Sequence, residues 1–140
     1  MAHHPPLNTP VTLVTEGIRI SVQTVFVQEQ SSVLTESFVF AYRITIANES
    51  GQTVQLLRRH WDILDGCGTY RCVAGEGVVG QQPVLAPGHE HTYTSGSVFK
   101  TTLGQMAGYY TFRRLDGGTE GEEFRVRIPA FLLQVPFTLN

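Results

Sequence analysis

Phe38-Val39-Phe40-Ala41-Tyr42-Arg43-Ile44-Thr45-Ile46 has large apolar residues at every even position and smaller or polar residues at the odd ones. Side chains alternate faces along a strand, so this period of two predicts a strand with one face in a core. The same period recurs on both sides of it. Ile18, Ile20, Val22 and Phe26 alternate with Arg19, Ser21 and Gln23, and Phe124, Val126, Ile128 and Ala130 with Glu123, Arg125 and Arg127. Around residues 106–115, Tyr110 and Phe112 share one face while Tyr109 and Leu115 share the other, which predicts a strand covered on both sides. Residues 69–73, 84–85 and 91–98 supply shorter strands.

One irregularity is legible. Between Val54-Gln55-Leu56 and Leu57-Arg58-Arg59-His60-Trp61-Asp62-Ile63 the apolar parity flips from even to odd. A single extra residue in a strand does this, so a β-bulge is predicted near Leu57. Glu49-Ser50-Gly51, Asp65-Gly66, Pro87-Gly88 and Asp116-Gly117-Gly118 are turn signals. No window of helical length carries the i, i+3, i+4, i+7 pattern without Gly or Pro interrupting it. The reading is an all-β chain: an antiparallel β-sandwich of immunoglobulin or fibronectin type III kind, with seven to eight strands.

At 140 residues one domain is expected. We place it at residues 15–140, behind a flexible leader at 1–14. A net charge of −2 argues against nucleic acid as a partner, since such a surface is normally strongly basic. The apolar runs are too short for a spanning helix, so no membrane insertion is expected. The leader has no apolar h-region, so it is not a signal peptide and a cytoplasmic location is expected. Cys67 and Cys72 lack the second ligand pair of a zinc motif and read as reduced thiols.

Gly75-Glu76-Gly77-Val78-Val79-Gly80-Gln81-Gln82-Pro83 matches G-x-G-x-x-G. That fingerprint works by placing a helix N-terminus under a pyrophosphate. Here Pro83 and Pro87 forbid such a helix, and no Lys-Ser or Lys-Thr follows to make a P-loop. Gly75, Gly77 and Gly80 therefore read as backbone devices, with an anion nest built from loop amides as the alternative.

These glycines also carry a resemblance. Arg59-His60-Trp61-Asp62-Ile63, the glycine run itself, Leu85-Ala86-Pro87-Gly88, Tyr93-Thr94-Ser95-Gly96, Leu103-Gly104-Gln105-Met106-Ala107-Gly108-Tyr109-Tyr110 and Ile128-Pro129-Ala130-Phe131 together resemble the ApaG family. His91 departs from it, standing where relatives usually carry an aromatic. The resemblance implies a fibronectin type III-like sandwich, an association with cobalt resistance and magnesium efflux in bacteria, and protein-interaction roles in eukaryotic relatives.

Other candidates for chemistry are sparse. His89 and His91 share a strand face, but no third metal ligand is readable beside them. His3 and His4 lie in the leader. His60 and Asp62 share a face opposite Trp61 and Ile63, which reads as an exposed polar face. Ser95 is in no nucleophile elbow, and the adjacent Glu122 and Glu123 face opposite sides. The expectation is thus a non-catalytic accessory or regulatory protein-interaction module linked to divalent-cation homeostasis. It would need no cofactor, bind a protein partner not identifiable from the sequence, and stand as a monomer or weak homodimer. The alternatives are a nucleotide or pyrophosphate binder using Gly75, Gly77 and Gly80, and a divalent-metal binder using His89 and His91.

Overall fold

The computed structural model describes residues 9–116 and 121–136. Nine strands are found there: β1 (Val11–Thr15), β2 (Ile18–Phe26), β3 (Phe38–Asn48), β4 (Val54–Asp65), β5 (Tyr70–Glu76), β6 (Val84–Leu85), β7 (Glu90–Phe99), β8 (Leu103–Arg114) and β9 (Glu123–Gln134). The only helical element among the described residues is one 3₁₀ turn at Gln28–Gln30. All pairings are antiparallel, in two sheets ordered β1-β2-β3-β7 and β5-β4-β8-β9, with β6 extending the second sheet beside β4. This is the β-sandwich that the alternation predicts.

The opening stretch forms the middle of the first sheet. Phe40, Tyr42, Ile44 and Ile46 are buried and face Tyr110, Phe112, Val126 and Phe131 of the other sheet within one continuous core. Tyr42, Trp61 and Phe131 pack ring against ring, with centroids 5.5–5.9 Å apart. Such tilted and edge-on pairs add to the stabilisation that burial alone supplies. Across the same gap the hydroxyls of Tyr93 on β7 and Tyr110 on β8 meet at 2.5 Å, a buried hydrogen bond joining the two sheets.

Three features depart from the sequence reading. Val11–Thr15 forms a strand within the leader expected at residues 1–14; residues 1–8 lie outside the described residues. Glu16 and Gly17 have φ of 49° and 81°, the doubly positive turn that joins tight hairpins, and they fold β1 onto β2. This strand brings the count to nine rather than seven or eight. The third departure is in β9, where Ala130 is exposed and Phe131 buried. The register against β8 slips between Met106 and Gly108, so β9 carries an extra residue at Pro129-Ala130. Proline has no amide to pair and is tolerated in such a bulge. The turn expected at Asp116-Gly117-Gly118 lies mostly outside the described residues.

The bulge predicted near Leu57 is present: Leu56 pairs with Phe112 while Arg58 pairs with Thr111. Beyond it, Trp61 and Ile63 point into the core, and Arg58, His60 and Asp62 point outward.

Burial raises the pKa of Tyr110 and of Tyr93 above the ordinary phenol range, because the phenolate would be stranded in the core. A group whose pKa is raised on folding contributes stability that is complete below its unfolded value, about 10 for tyrosine, and lost as pH rises beyond it. Urea unfolding should therefore give a stability that is flat from neutral pH to about pH 9.5 and falls steeply above about pH 10. A Tyr93→Phe, Tyr110→Phe double variant should show a shallower alkaline decline, and an equal slope would contradict this account.

Candidate functional site

The β4–β5 hairpin borders three features: the glycine loop, a cleft between the sheets and an outward polar face. The loop is a hairpin turn. Val78 and Gln81 exchange both backbone hydrogen bonds, at 2.8 and 3.0 Å, around Val79 and Gly80 with φ of 46° and 74°. No helix follows.

Each glycine answers a local demand. Gly77 has φ 66°, and a Cβ there would meet the Gln81 carbonyl oxygen at 2.4 Å. Gly80 has φ 74° with open space around it. Gly75 is packed under the Arg59 guanidinium, which a Cβ would touch at 3.0 Å. The amides of Gly77, Val78 and Gln81 are spent on Leu57, Gln81 and Val78 carbonyls. The Arg59 side chain in turn donates to the carbonyls of Glu76 and Gly77 at 2.9 and 3.0 Å. The loop thus turns carbonyls toward an arginine, and three of its amides are already paired.

Between β5 and β7 is a cleft of about 360 Å³ lined by Tyr42, Arg59, Trp61, Arg71, Ser95 and Ser97 among others. Arg71 reaches across it to the Ser97 hydroxyl at 3.2 Å. Burial raises the pKa of Tyr42, and its hydrogen bond with Ser95, followed by the nearby charges of Arg59 and Arg71, partly offsets that rise.

On the outer face of the second sheet, His60 lies flat against Tyr109, rings 4.7 Å apart and 9° from parallel, and Arg125 covers the Tyr109 ring. A concavity of about 500 Å³ opens there, lined by Arg58, Arg59, His60, Glu76, Tyr109 and Arg125 with their neighbours. Arg58 is paired with Glu123 at 2.6 Å. His60 Nε2 lies 3.1 Å from Asp62 Oδ1, and the Tyr70 hydroxyl donates to the same oxygen at 2.5 Å. That hydroxyl is the main reason the Asp62 carboxyl sits below its ordinary pKa, opposed by desolvation and helped by His60. The same bond pushes Tyr70 up to about 12.

The expected pairing of His60 with Asp62 on one face holds, and the structure adds Cys72. Its Sγ lies 3.6 Å from His60 Nε2. The sequence pattern alone set Cys72 beside Cys67; both are exposed and unbonded to each other. The missed signal was the hairpin register. Counting outward from the turn after Asp65 sets Cys72 directly opposite Asp62. His89 is exposed in the loop before β7, and His91 is half-buried with its ring 6.3 Å from that of Tyr93, so His91 packs against an aromatic neighbour.

The glycine turn leaves β5 beside the middle of β4, next to the Arg-His-Trp segment, and the chain as a whole is similar to known proteins. Residues 28–114 match the family model described as the ApaG domain. The chain belongs to the ApaG family. It is 47% identical over 122 residues to Protein ApaG of Methylobacterium radiotolerans, covering 87% of this chain and 91% of that one. It is 48% identical over 117 residues to Protein ApaG of Enterobacter sp., covering 84% and 90%. The crystal structure of the ApaA protein of Bordetella pertussis superposes with a TM-score of 0.80 at 38% identity, across 95% of this chain and all of that one. The ApaG fold is therefore shared over the whole sandwich. No described helix is long and apolar enough to cross a membrane.

The loop geometry orders three substitutions. Gly77→Ala meets both a positive φ and a backbone clash, so it should cost the most, beyond the roughly 1–2 kcal/mol of a left-handed residue alone. Gly80→Ala should cost about that 1–2 kcal/mol, and Gly75→Ala less, because only a flexible guanidinium must move. Thermal unfolding of the three variants tests this order; Gly75→Ala melting below Gly77→Ala would contradict it.

Proposed function

We propose that this chain is a non-catalytic protein-interaction module of the cytoplasm, linked to divalent-cation homeostasis and working as a monomer or weak homodimer. The link to cations follows the ApaG resemblance. The interaction reading rests on the β1 edge. Val11, Leu13 and Val14 are 37–50% exposed, β1 carries no charge and no proline, and no described strand pairs with its outer side. Sheet edges normally carry a charge, a proline or a bulge that blocks further pairing. An edge without these devices is suited to receive an extended segment of a partner by strand addition. Leu132 of β9, also exposed, lies with Val11 along a shallow groove that would hold the partner's side chains.

The nucleotide reading has less support, because the amides of Gly77, Val78 and Gln81 are already engaged. Val11→Lys combined with Val14→Lys places a cation on each face of the edge, and as surface changes they should alter stability by only about 0.5 kcal/mol each. Affinity capture from a bacterial lysate should recover a partner with the parent protein and lose it with this variant. Equal recovery with both would contradict the edge reading.

A further inference from the structure

We propose that His60, Asp62 and Cys72 form a binding site for a divalent transition metal of borderline softness, zinc(II) foremost. The site is independent of the β1 edge. It follows from strand geometry: His60 and Asp62 are two apart on β4 and share its outer face, and Cys72 on β5 pairs directly with Asp62. One nitrogen, one oxygen and one sulfur donor come within 4.8 Å of one another.

The donors are close enough to share a metal once the Cys72 side chain turns toward Nε2. Zinc bonds of about 2.1 Å to nitrogen and about 2.3 Å to sulfur, at a tetrahedral angle, set those donors about 3.6 Å apart, and nitrogen and oxygen about 3.4 Å apart. The structure has 3.6 Å from His60 Nε2 to Cys72 Sγ and 3.1 Å from Nε2 to Asp62 Oδ1. A Cys–His–Asp catalytic relay is built otherwise, with thiol and carboxylate on opposite ring nitrogens. Here Sγ is nearly equidistant from the two ring nitrogens, at 3.6 Å from Nε2 and 3.8 Å from Nδ1, so the thiol is not set on the nitrogen opposite the carboxylate.

Neighbouring groups hold two of the ligands. The Tyr109 ring fixes the plane of the His60 imidazole, and the Tyr70 hydroxyl orients Asp62, a supporting shell of the kind metal ligands usually have. On binding, the ring ligates through Nε2 with its proton on Nδ1, and Cys72 swings toward the Nε2 side. The thiol proton is released to solvent. The fourth position opens outward beside exposed Cys72 and is left to water.

The test is zinc titration of the full chain by calorimetry, with thiols kept reduced by a phosphine that does not compete for metal. One saturable site is expected. Cys72→Ser, His60→Ala and Asp62→Asn should each weaken it roughly tenfold or more, while Cys67→Ser, His89→Ala with His91→Ala, and His3→Ala with His4→Ala should leave it intact. Cobalt(II) as a spectroscopic stand-in should give a near-ultraviolet thiolate charge-transfer band that Cys72→Ser abolishes. Absence of a saturable site, a site lost only with the other histidines, or bound cobalt without that band would each overturn the proposal.

Discussion

Leu57 is one residue more than its strand has room for, and two donors hold its carbonyl: the Gly77 amide at 2.8 Å and the Gln82 side chain at 3.0 Å. This anchored bulge decides which side of β4 is inside. Before it, Val54 and Leu56 fill the core; after it, Trp61 and Ile63 do. Without the extra residue, the period of two would turn His60 and Asp62 inward and expose the aromatic that Tyr42 and Phe131 pack against. The glycine run is the other half of the same device. Its turn at Val79-Gly80 returns the chain so that Gly77 and Gln82 both reach Leu57, and Arg59 ties the loop carbonyls to the strand that the bulge redirects.

The rest of the molecule builds on that choice of face. With Trp61 inside, the two sheets close around an aromatic cluster and the Tyr93–Tyr110 hydrogen bond. A single buried hydrogen bond adds only about 1 kcal/mol net, so the rings do more to hold the sheets together, while the hydroxyl pair satisfies polar groups the core could not otherwise tolerate. With His60 and Asp62 outside, the second sheet presents donors, a stacked tyrosine and paired arginines on one surface. The first sheet presents its β1 edge, unpaired among the described residues, elsewhere.

The parts of this arrangement carried by local alternation were legible in the sequence. Phe40, Tyr42, Ile44 and Ile46 announce their strand, and the parity flip announces the bulge. Val11–Thr15 was not legible as a strand because it is largely exposed and buries too little to show a clean alternation, although Glu16-Gly17 behind it is a hairpin signal. The second bulge, at Pro129-Ala130, was hidden because Ile128 and Ala130 keep an apolar parity that the buried Phe131 breaks. At the candidate site, His60 and Asp62 could be placed on one face from spacing alone. Cys72 could not, because its position depends on the register of a second strand. The glycines looked like a nucleotide motif because spacing records neither φ nor which amides are already bonded.

The central claim is that the Leu57 bulge and the glycine loop form one unit, and amide hydrogen exchange in Gln82→Ala tests it most directly. Removing one donor to the Leu57 carbonyl should speed exchange at Gly77 and also along β4 from Arg58 to Trp61, while β2 keeps the protection it has in the parent. Faster exchange confined to residues 77–82, with β4 unchanged, would show that the bulge stands without the loop.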